Sequence, residues 1–474
     1  MRLNILKLNH PIPQTLPLTH EGGPAKVLTA EQMLRRSVLS CMLWESEFYE
    51  DGAEIATRIR ELVPQVAAAK VAALAVEARE RMKLRHVPLL LVREMARHIS
   101  HRGLVAETLV RVIQRADELA EFVAIYWADR KMGRAAGKKQ PLSGQVKKGL
   151  AAAFVKFDEY ALAKYDRAGS VRLRDVLFLS HAKPLDAAQA ELWKRLAANE
   201  LVTPDTWEVA LSAAGRIAGA DGASKQEVWE RLLSDRRLGA LALLRNLRNM
   251  HEAGVREDLV LGALAAMKTE RVLPFRFLAA ARKAPQWEEA LELAMFRAVA
   301  SRDGQGRAGL LAGHTVLLVD VSGSMNYALS NRSEMNRTDA AYGLAILLRE
   351  IAEKVTIFTF SDAAKRVPAR RGLALRDALD QNQPHGGTNL GASLVQVERE
   401  CRVYDRLVVI TDEQAHDSVP DPSGNGGGRG YMINVASNRN GVGYGKWMHI
   451  DGFSEAVVEY IAELENAADA PRLA

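Results

Sequence analysis

Small oxygen-bearing side chains cluster at three places in the last third of the sequence. Asp320, Ser322 and Ser324 lie in the stretch DVSGSM, directly after the apolar run HTVLLV. Thr388 lies in the loop GGTNL, and Asp412 directly follows the apolar run RLVVIT. Two carboxylates and three hydroxyls form a hard-oxygen set of the kind that Mg²⁺ prefers. We therefore predict that these five residues hold a divalent cation, with Mg²⁺ as the cofactor.

Catalytic interpretations of the same residues have less support. The sequence around Ser322 lacks the G-x-S-x-G pattern of a nucleophile elbow. Asp412 and Glu413 are adjacent, and adjacent residues on a strand point to opposite faces, which argues against an acid–base pair. The glycine-rich residues 423–431 lack both phosphate-loop patterns and are predicted to form a surface loop. We expect no enzyme activity; a nuclease would need clustered carboxylates or a histidine pair that the N-terminal part does not offer.

The elements around these residues follow an α/β pattern. Short, mostly β-branched runs (HTVLLVDVS, KVTIFTFSD, RLVVITDE and YMINVAS) alternate with helical segments. This alternation predicts a doubly wound parallel sheet covered on both faces. Ligands in such a sheet gather outside the carboxyl ends of the strands, where the predicted metal ligands stand. We assign this α/β domain to residues 305–474.

The preceding sequence is helical almost throughout. Residues 29–300 contain amphipathic segments separated by short Gly, Pro or Asp breaks, and the first opens with a capping box of Thr29 and Gln32. Many such helices without a strand signal predict stacked helix pairs like those of HEAT repeats, here without a fixed period. We assign an all-α, HEAT-like helical-repeat module to residues 1–304.

Charge is distributed unevenly between the two parts. The chain has 64 Lys and Arg against 58 Asp and Glu, a formal charge of +6. Residues 305–474 contain 17 against 21, so residues 1–304 contain 47 against 37, a net charge of +10. A basic module beside a mildly acidic one is typical of a nucleic-acid-binding protein with a second function, although solvated helical faces are often basic as well.

The cysteine content and the lengths of the apolar runs indicate the cellular compartment. The two cysteines, Cys41 and Cys401, lie far apart, which excludes a disulfide framework and is typical of a reducing compartment. No run approaches the roughly 20 apolar residues that a membrane span needs, and prolines interrupt the N-terminus before a signal-length apolar segment develops. We expect a cytoplasmic protein with no membrane association.

Basic residues are densest between residues 131 and 183. Such density can neutralise several phosphates, although the charge by itself is better explained by a solvated helical face. The aromatic residues of this region, Phe154, Phe157, Tyr160 and Tyr165, have helical spacing and are predicted to lie in the core. If this region binds nucleic acid, we expect recognition by shape and phosphate rather than by base stacking.

Two resemblances sharpen these expectations. The five predicted ligands resemble the metal-ion-dependent adhesion site of von Willebrand factor A (vWA) domains. In that family the hydroxyls bind the ion directly, the aspartates act largely through water, and one coordination position accepts an acidic group from a partner. The stretches HEGG (residues 20–23), LSHAKP (179–184) and LLRNL (243–247) resemble the TROVE module of the Ro 60 kDa autoantigen family, including its bacterial members.

The Ro resemblance implies a ring of helical repeats whose ends meet beside the vWA domain. It also implies a non-catalytic protein that binds structured small Y-type RNA on a basic outer surface and single-stranded 3′ ends of misfolded RNA in a central hole. Separately, we expect a monomer. Such a protein would act in RNA quality control or small-RNA stabilisation, with an exoribonuclease or another protein carrying an acidic ligand group as its partner. The alternative is a Mg²⁺-dependent protein-interaction adapter with a helical scaffold.

The resemblance also implies positions for RNA contacts. The family's outer patch falls here on Lys164 and His181, and a second basic position falls on Ala168, with Arg167 beside it. The predicted RNA-binding residues are Lys131, Arg134, Lys138, Lys139, Lys147, Lys148, Lys164, Arg167, His181 and Lys183.

Overall fold

The structure, a computed structural model, describes most of the chain. The described residues are 17–39, 52–128, 141–166, 169–202, 204, 206–211, 224–269, 272, 274–300, 311–329, 335–422, 429–436, 438–452, 457, 461 and 465. The predicted boundary between residues 304 and 305 lies outside these ranges, as do most of residues 423–431.

Helices make up the N-terminal part, as the periodicity predicts. Thr29 and Gln32 form the expected capping box at the first helix, because the Gln32 N–H donates to Thr29 Oγ1 and the Thr29 N–H donates to Gln32 Oε1. The first ten helices are α1 Ala30–Leu39, α2 Gly52–Leu62, α3 Ala68–Glu80, α4 His86–Arg97, α5 Val105–Val112, α6 Ala116–Trp127, α7 Gly144–Phe154, α8 Glu159–Tyr165, α9 Leu173–Ser180 and α10 Ala187–Ala198. Five more follow: α11 Lys225–Ser234, α12 Ala240–Glu252, α13 Glu257–Ala266, α14 Pro274–Lys283 and α15 Glu288–Ala300.

The C-terminal part contains a six-stranded sheet in the order β3-β2-β1-β4-β5-β6. The strands are β1 Leu311–Asp320, β2 Ala352–Phe360, β3 Ala364–Arg366, β4 Arg406–Thr411, β5 Arg429–Asn434 and β6 Met448–Asp451. The helices are α16 Arg337–Ile351, α17 Gly372–Asp380 and α18 Leu390–Glu400. All neighbouring strands pair in parallel except β3, which is antiparallel to β2. The sequence predicted a fully parallel sheet, whereas the observed sheet is mixed. A three-residue edge strand offers too short a pattern to be recognised in sequence.

Both ends of the helical module contact the α/β domain. One hydrophobic core joins helices α1 to α10, and a second joins α11 to α15 to one face of the sheet. At the C-terminal end of the module, α14 crosses α16 so closely that a Cβ on Gly343 would lie 3.1 Å from the Phe275 Cβ. Arg282 of α14 forms a bidentate ion pair with Asp339 of α16. The predicted fold class, a helical-repeat module followed by a vWA-like α/β domain, is confirmed.

The other end of the module returns to the same domain through residues 17–39, called here the N-terminal segment. The Lys26 N–H donates to the Gly441 carbonyl, and Thr19 Oγ1 donates to the Ala415 carbonyl at 2.8 Å. A Cβ on Gly23 would lie 2.3 Å from the Ala415 carbonyl oxygen, so only glycine fits this approach. In the described part of the chain, no helix is long and apolar enough to cross a membrane.

Candidate functional site

The five predicted metal ligands lie at one edge of the sheet. Strands β1 and β4 are parallel neighbours paired up to Val319 and Ile410, so their carboxyl ends, with Asp320 and Asp412, lie side by side. The Gly323 N–H donates to the Gly386 carbonyl at 3.0 Å, which joins the DVSGSM loop to the GGTNL loop. The structure therefore brings the five residues to a common edge, as the strand pattern indicates. We call Asp320, Ser322, Ser324, Thr388 and Asp412 the cradle.

Hydrogen bonds fix the orientation of the cradle. Asp320 Oδ1 accepts from the Ser322 N–H at 2.9 Å, and Asp320 Oδ2 accepts from Thr411 Oγ1 at 2.6 Å. The Ser322 and Ser324 hydroxyl oxygens lie 3.2 Å apart. The Thr388 N–H donates to His416 Nδ1, and the Thr388 carbonyl accepts from the His416 N–H, both at 2.9 Å. Four of the five cradle residues are buried, and Ser324 is half-buried.

The electrostatics of the cradle favour a bound cation. Burial and then the negative charge of Asp412 raise the pKa of Asp320 to about 7. A cation held by the two carboxylates would remove this repulsion. Among the described residues, no three acidic, histidine or cysteine side chains converge on one point, so an ion here would depend on the hydroxyls as well. The cradle fits a hard divalent cation, which would supply positive charge for an incoming carboxylate.

Sequence reasoning missed one charged residue of this site. Arg337, the first residue of α16, is 2% exposed and places Nη1 3.2 Å from Asp412 Oδ2. The same Nη1 donates to the Ser324 carbonyl at 3.3 Å. Its guanidinium therefore offsets part of the negative charge of the cradle. No pattern around Arg337 indicates this role, because the contact depends on how α16 docks against the sheet.

The neighbouring carboxylates Asp412 and Glu413 serve different partners. Glu413 has a left-handed backbone, with φ of 63°, and turns away from the cradle. Its Oε2 accepts from Arg36 Nη1 of α1 at 2.7 Å, and both side chains are fully buried. Arg36 also donates through Nε to the Asn438 carbonyl at 2.6 Å. The rejected acid–base pair is replaced by a buried ion pair between the first helix and the α/β domain.

A second pair of charges completes this interface. His449 of β6 contacts Glu413 Oε1 through Nε2 and lies 3.4 Å from Asp451 Oδ2 through Nδ1. The ring of Tyr444 stacks on His449 with 3.9 Å between the centroids. We call Arg36, Glu413, His449 and Asp451 the interface cluster. The sequence does not reveal this cluster, because its other three members lie 377 residues or more after Arg36 along the chain.

Half of the predicted RNA-binding residues can be placed. Lys147 Nζ of α7 lies 3.5 Å from His181 Nε2, and His181 ends α9 in a left-handed conformation with φ of 55°. The His181 side chain is exposed rather than buried, as are Lys148 and Lys183. Lys164 Nζ stands 5.6 Å from the Tyr160 ring centroid. The other five predicted residues lie outside the described residues: Lys131, Arg134, Lys138, Lys139 and Arg167.

Two expectations about this region need correction. Phe154 and Phe157 are buried as predicted, but Tyr160 is 53% exposed and Tyr165 half-buried, so a ring suited to stacking is available beside Lys164. Lys156, part of the basic stretch, is used structurally: its Nζ donates to the Val110 carbonyl at 2.7 Å and also contacts the Ile113 carbonyl. Burial lowers its pKa. Its Nζ therefore caps the C-terminal end of α5.

Comparison with known proteins agrees with this architecture. The fold and the cradle define a vWA-type α/β domain joined to a helical TROVE-like module. The family model described as the TROVE domain matches residues 188–301, and that described as the Ro60 vWA domain matches residues 314–423. Both matched segments are therefore similar to the domains of Ro60-type proteins.

One solved structure has the same fold over nearly the whole chain. The crystal structure of the Deinococcus radiodurans RO (RSR) protein aligns with a TM-score of 0.60 and 19% sequence identity, covering 92% of this chain and 100% of that chain. No curated protein matches the sequence. The basic residues Lys147 to Lys183 precede the segment that the TROVE model matches.

Proposed function

We propose that this protein is a non-catalytic RNA-binding protein of the Ro type, which binds structured Y-type RNA on an outer basic surface. The observation that carries the proposal is the grouping of Lys147 and His181 at 3.5 Å, with the exposed Lys148 and Lys183 one and two residues away along the chain. A lysine and an imidazole grouped in this way can contact a phosphate backbone without reading sequence. Binding of single-stranded 3′ ends in a central hole, and a role in RNA quality control, belong to the same proposal.

Substitutions in the basic patch around Lys147, Lys164 and His181 test this proposal. The double variant Lys164→Glu with His181→Ala is expected to weaken binding of a structured small RNA at least roughly tenfold and to reduce the salt dependence of binding, since phosphate contacts are lost. Mg²⁺ affinity should be unchanged. Electrophoretic mobility shift across several salt concentrations measures the effect. The matched control is Lys194→Glu with His251→Ala, which makes the same two types of substitution at exposed positions outside the patch. Equal weakening in both double variants would contradict the patch.

We further propose that the cradle binds Mg²⁺. Asp320→Asn should abolish Mg²⁺ binding measured by isothermal titration calorimetry, because it removes one of two buried carboxylates. Asp377→Asn, an exposed carboxylate of the same domain, should leave the affinity unchanged. Arg337→Met should strengthen binding, because it removes a positive charge 3.2 Å from Asp412. Weaker binding in Arg337→Met would mean that the guanidinium organises the cradle rather than competing with the cation.

The cradle itself favours a second candidate function, a Mg²⁺-dependent protein-interaction adapter. A cation bound mainly by neutral hydroxyls retains positive charge that an acidic partner group can satisfy. The adapter function predicts a protein partner whose binding is lost with EDTA and in Asp320→Asn, together with RNA binding that disappears at physiological salt. Retention of salt-resistant RNA binding in Asp320→Asn would favour the RNA-binding function.

A further inference from the structure

A cleft separate from the cradle and from the Lys164–His181 region lies between α12 and α14. Its volume is about 480 Å³, within the roughly 300–1,000 Å³ typical of ligand sites. The loop that precedes α16 contributes one side chain, so the cleft opens where the helical module meets the α/β domain. The residues that line it are Leu241, Leu244, Arg245, Arg248, Asn249, Arg276, Ala279, Ala280, Lys283 and Met335.

The charge of this cleft is entirely positive. Four lining residues are cationic, Arg245 and Arg248 on α12 and Arg276 and Lys283 on α14, and none of the lining residues that the structure describes is acidic. Arg248 lies 3.6 Å from Glu252, an exposed pair of little strength. Within the described ranges, Arg245 and Arg276 have no carboxylate at ion-pair distance.

The positive charges of the cleft affect one another. Burial and then the charge of Arg245 lower the pKa of Arg276. Uncompensated guanidinium groups that face a common space cost free energy, and an anion in that space removes the cost. The nearest acidic residue on the described part of α16, Asp339, is already engaged by Arg282. The cleft therefore presents guanidinium donors of the kind that bind phosphate.

The cleft also has an apolar wall. Leu244 and Ala280 are buried at its base, whereas Leu241 at the rim is 48% exposed. Met335 approaches from the α/β domain. A ligand that carries only charge would leave this wall unused, whereas a nucleotide places a phosphate on the arginines and an apolar ring face against leucine and methionine side chains.

We propose that the cleft formed by Arg245, Arg248, Arg276, Leu241 and Met335 binds a nucleotide phosphate together with its base. The nucleotide comes either from a single-stranded RNA segment or from a free mononucleotide. In its RNA form, the proposal rests on the proposed RNA-binding function and adds a second contact surface to it. The site also explains the role of Arg245 and Arg248 in the LALLRNLRNM stretch, which the Lys164–His181 region does not use.

Two arginines suffice for the test. The full-length double variant Arg245→Gln with Arg276→Gln is compared with Arg231→Gln with Arg402→Gln, which removes the same charge at two exposed positions outside the cleft. The probes are a ten-residue oligoadenylate, followed by fluorescence anisotropy, and adenosine 5′-monophosphate, followed by calorimetry. The cleft variant should bind oligoadenylate at least roughly tenfold more weakly than the control variant. Its salt slope should fall by about 1.4, since each lost single-strand phosphate contact contributes about 0.7.

The outcomes separate the two sources of the nucleotide. Loss of oligoadenylate binding alone in the cleft variant supports an RNA strand, and a matching loss of monophosphate binding supports a free nucleotide. If neither probe binds more weakly to the cleft variant than to the control variant, the proposal is wrong. Structured-RNA binding by the Lys164→Glu, His181→Ala variant is measured in parallel, so that failure of the cleft is distinguished from failure of the RNA-binding function.

Discussion

Replacement of Arg36 by alanine should lower the free energy of unfolding by about 3 kcal/mol or more, which is typical of breaking a buried ion pair. Arg36 and Glu413 are both fully buried and lie 2.7 Å apart. Truncation would leave the Glu413 carboxylate and the Asn438 carbonyl without this donor in the interface. His449 would compensate for only part of the lost charge. Denaturant unfolding measures the change, and hydrogen exchange of α1 shows whether the N-terminal segment separates from the α/β domain first.

Lys70→Ala is the control for this experiment. Lys70 pairs with Glu31 on the same side of the helical module, but both side chains are more than half exposed. Solvent screens such a pair, so its removal should cost less than about 1 kcal/mol. If Arg36→Ala is no more destabilising than Lys70→Ala, the interface cluster contributes specificity rather than stability.

Stability should fall by about 3 kcal/mol as the pH rises from 6.5 to about 9, because of His449. Burial opposes its charged form, but Asp451 and then Glu413 outweigh burial and raise the pKa of His449 from 6.5 to about 9. A group with a raised folded-state pKa stabilises fully below its unfolded value, and that stabilisation is lost as the pH rises through its folded value. Denaturant unfolding at a series of pH values measures the slope.

His449→Gln should flatten this dependence, with a loss below about 1 kcal/mol over the same range. The loss of stability at acid pH should persist in His449→Gln. Burial raises the pKa of Glu413, but the charge of Arg36 is the largest of the effects that lower it to about 2. The stabilisation from Glu413 is present above pH 4.5 and is lost as the pH falls toward 2. If the free energy of unfolding of His449→Gln falls between pH 6.5 and 9 as steeply as that of the wild type, another group causes the loss.

The cradle could be predicted from sequence because its geometry follows from strand ends. Parallel strands finish at the same edge, so Asp320 at the end of β1 and Asp412 directly after β4 must be neighbours once the strands are recognised. The fold class followed in the same way from the change of period near residue 305. The antiparallel β3 and the short β6 were not predicted, since three or four residues carry no periodicity.

The remaining site residues depend on packing between distant elements. Arg337 reaches Asp412 only because α16 docks beside β1, and Arg36 reaches Glu413 only because α1 returns to the end of β4. Single-sequence patterns carry no information about such approaches. Tyr160 shows the opposite error: its helical spacing with Phe154 and Phe157 suggested burial, but α8 begins after a break, which rotates Tyr160 toward solvent.

The docking of the N-terminal segment also sets an order of events during synthesis. Arg36 leaves the ribosome early, whereas Glu413 follows 377 residues later. At translation rates of about 5–20 residues per second, this interval lasts roughly 20–75 s. Helix α1 can pack on its helical neighbours in that time, but the acceptors that Glu413 and Asn438 offer to Arg36 are synthesised only later. The contacts between the N-terminal segment and the α/β domain can therefore form only late in synthesis, and until then the helical module is joined to that domain at one end at most.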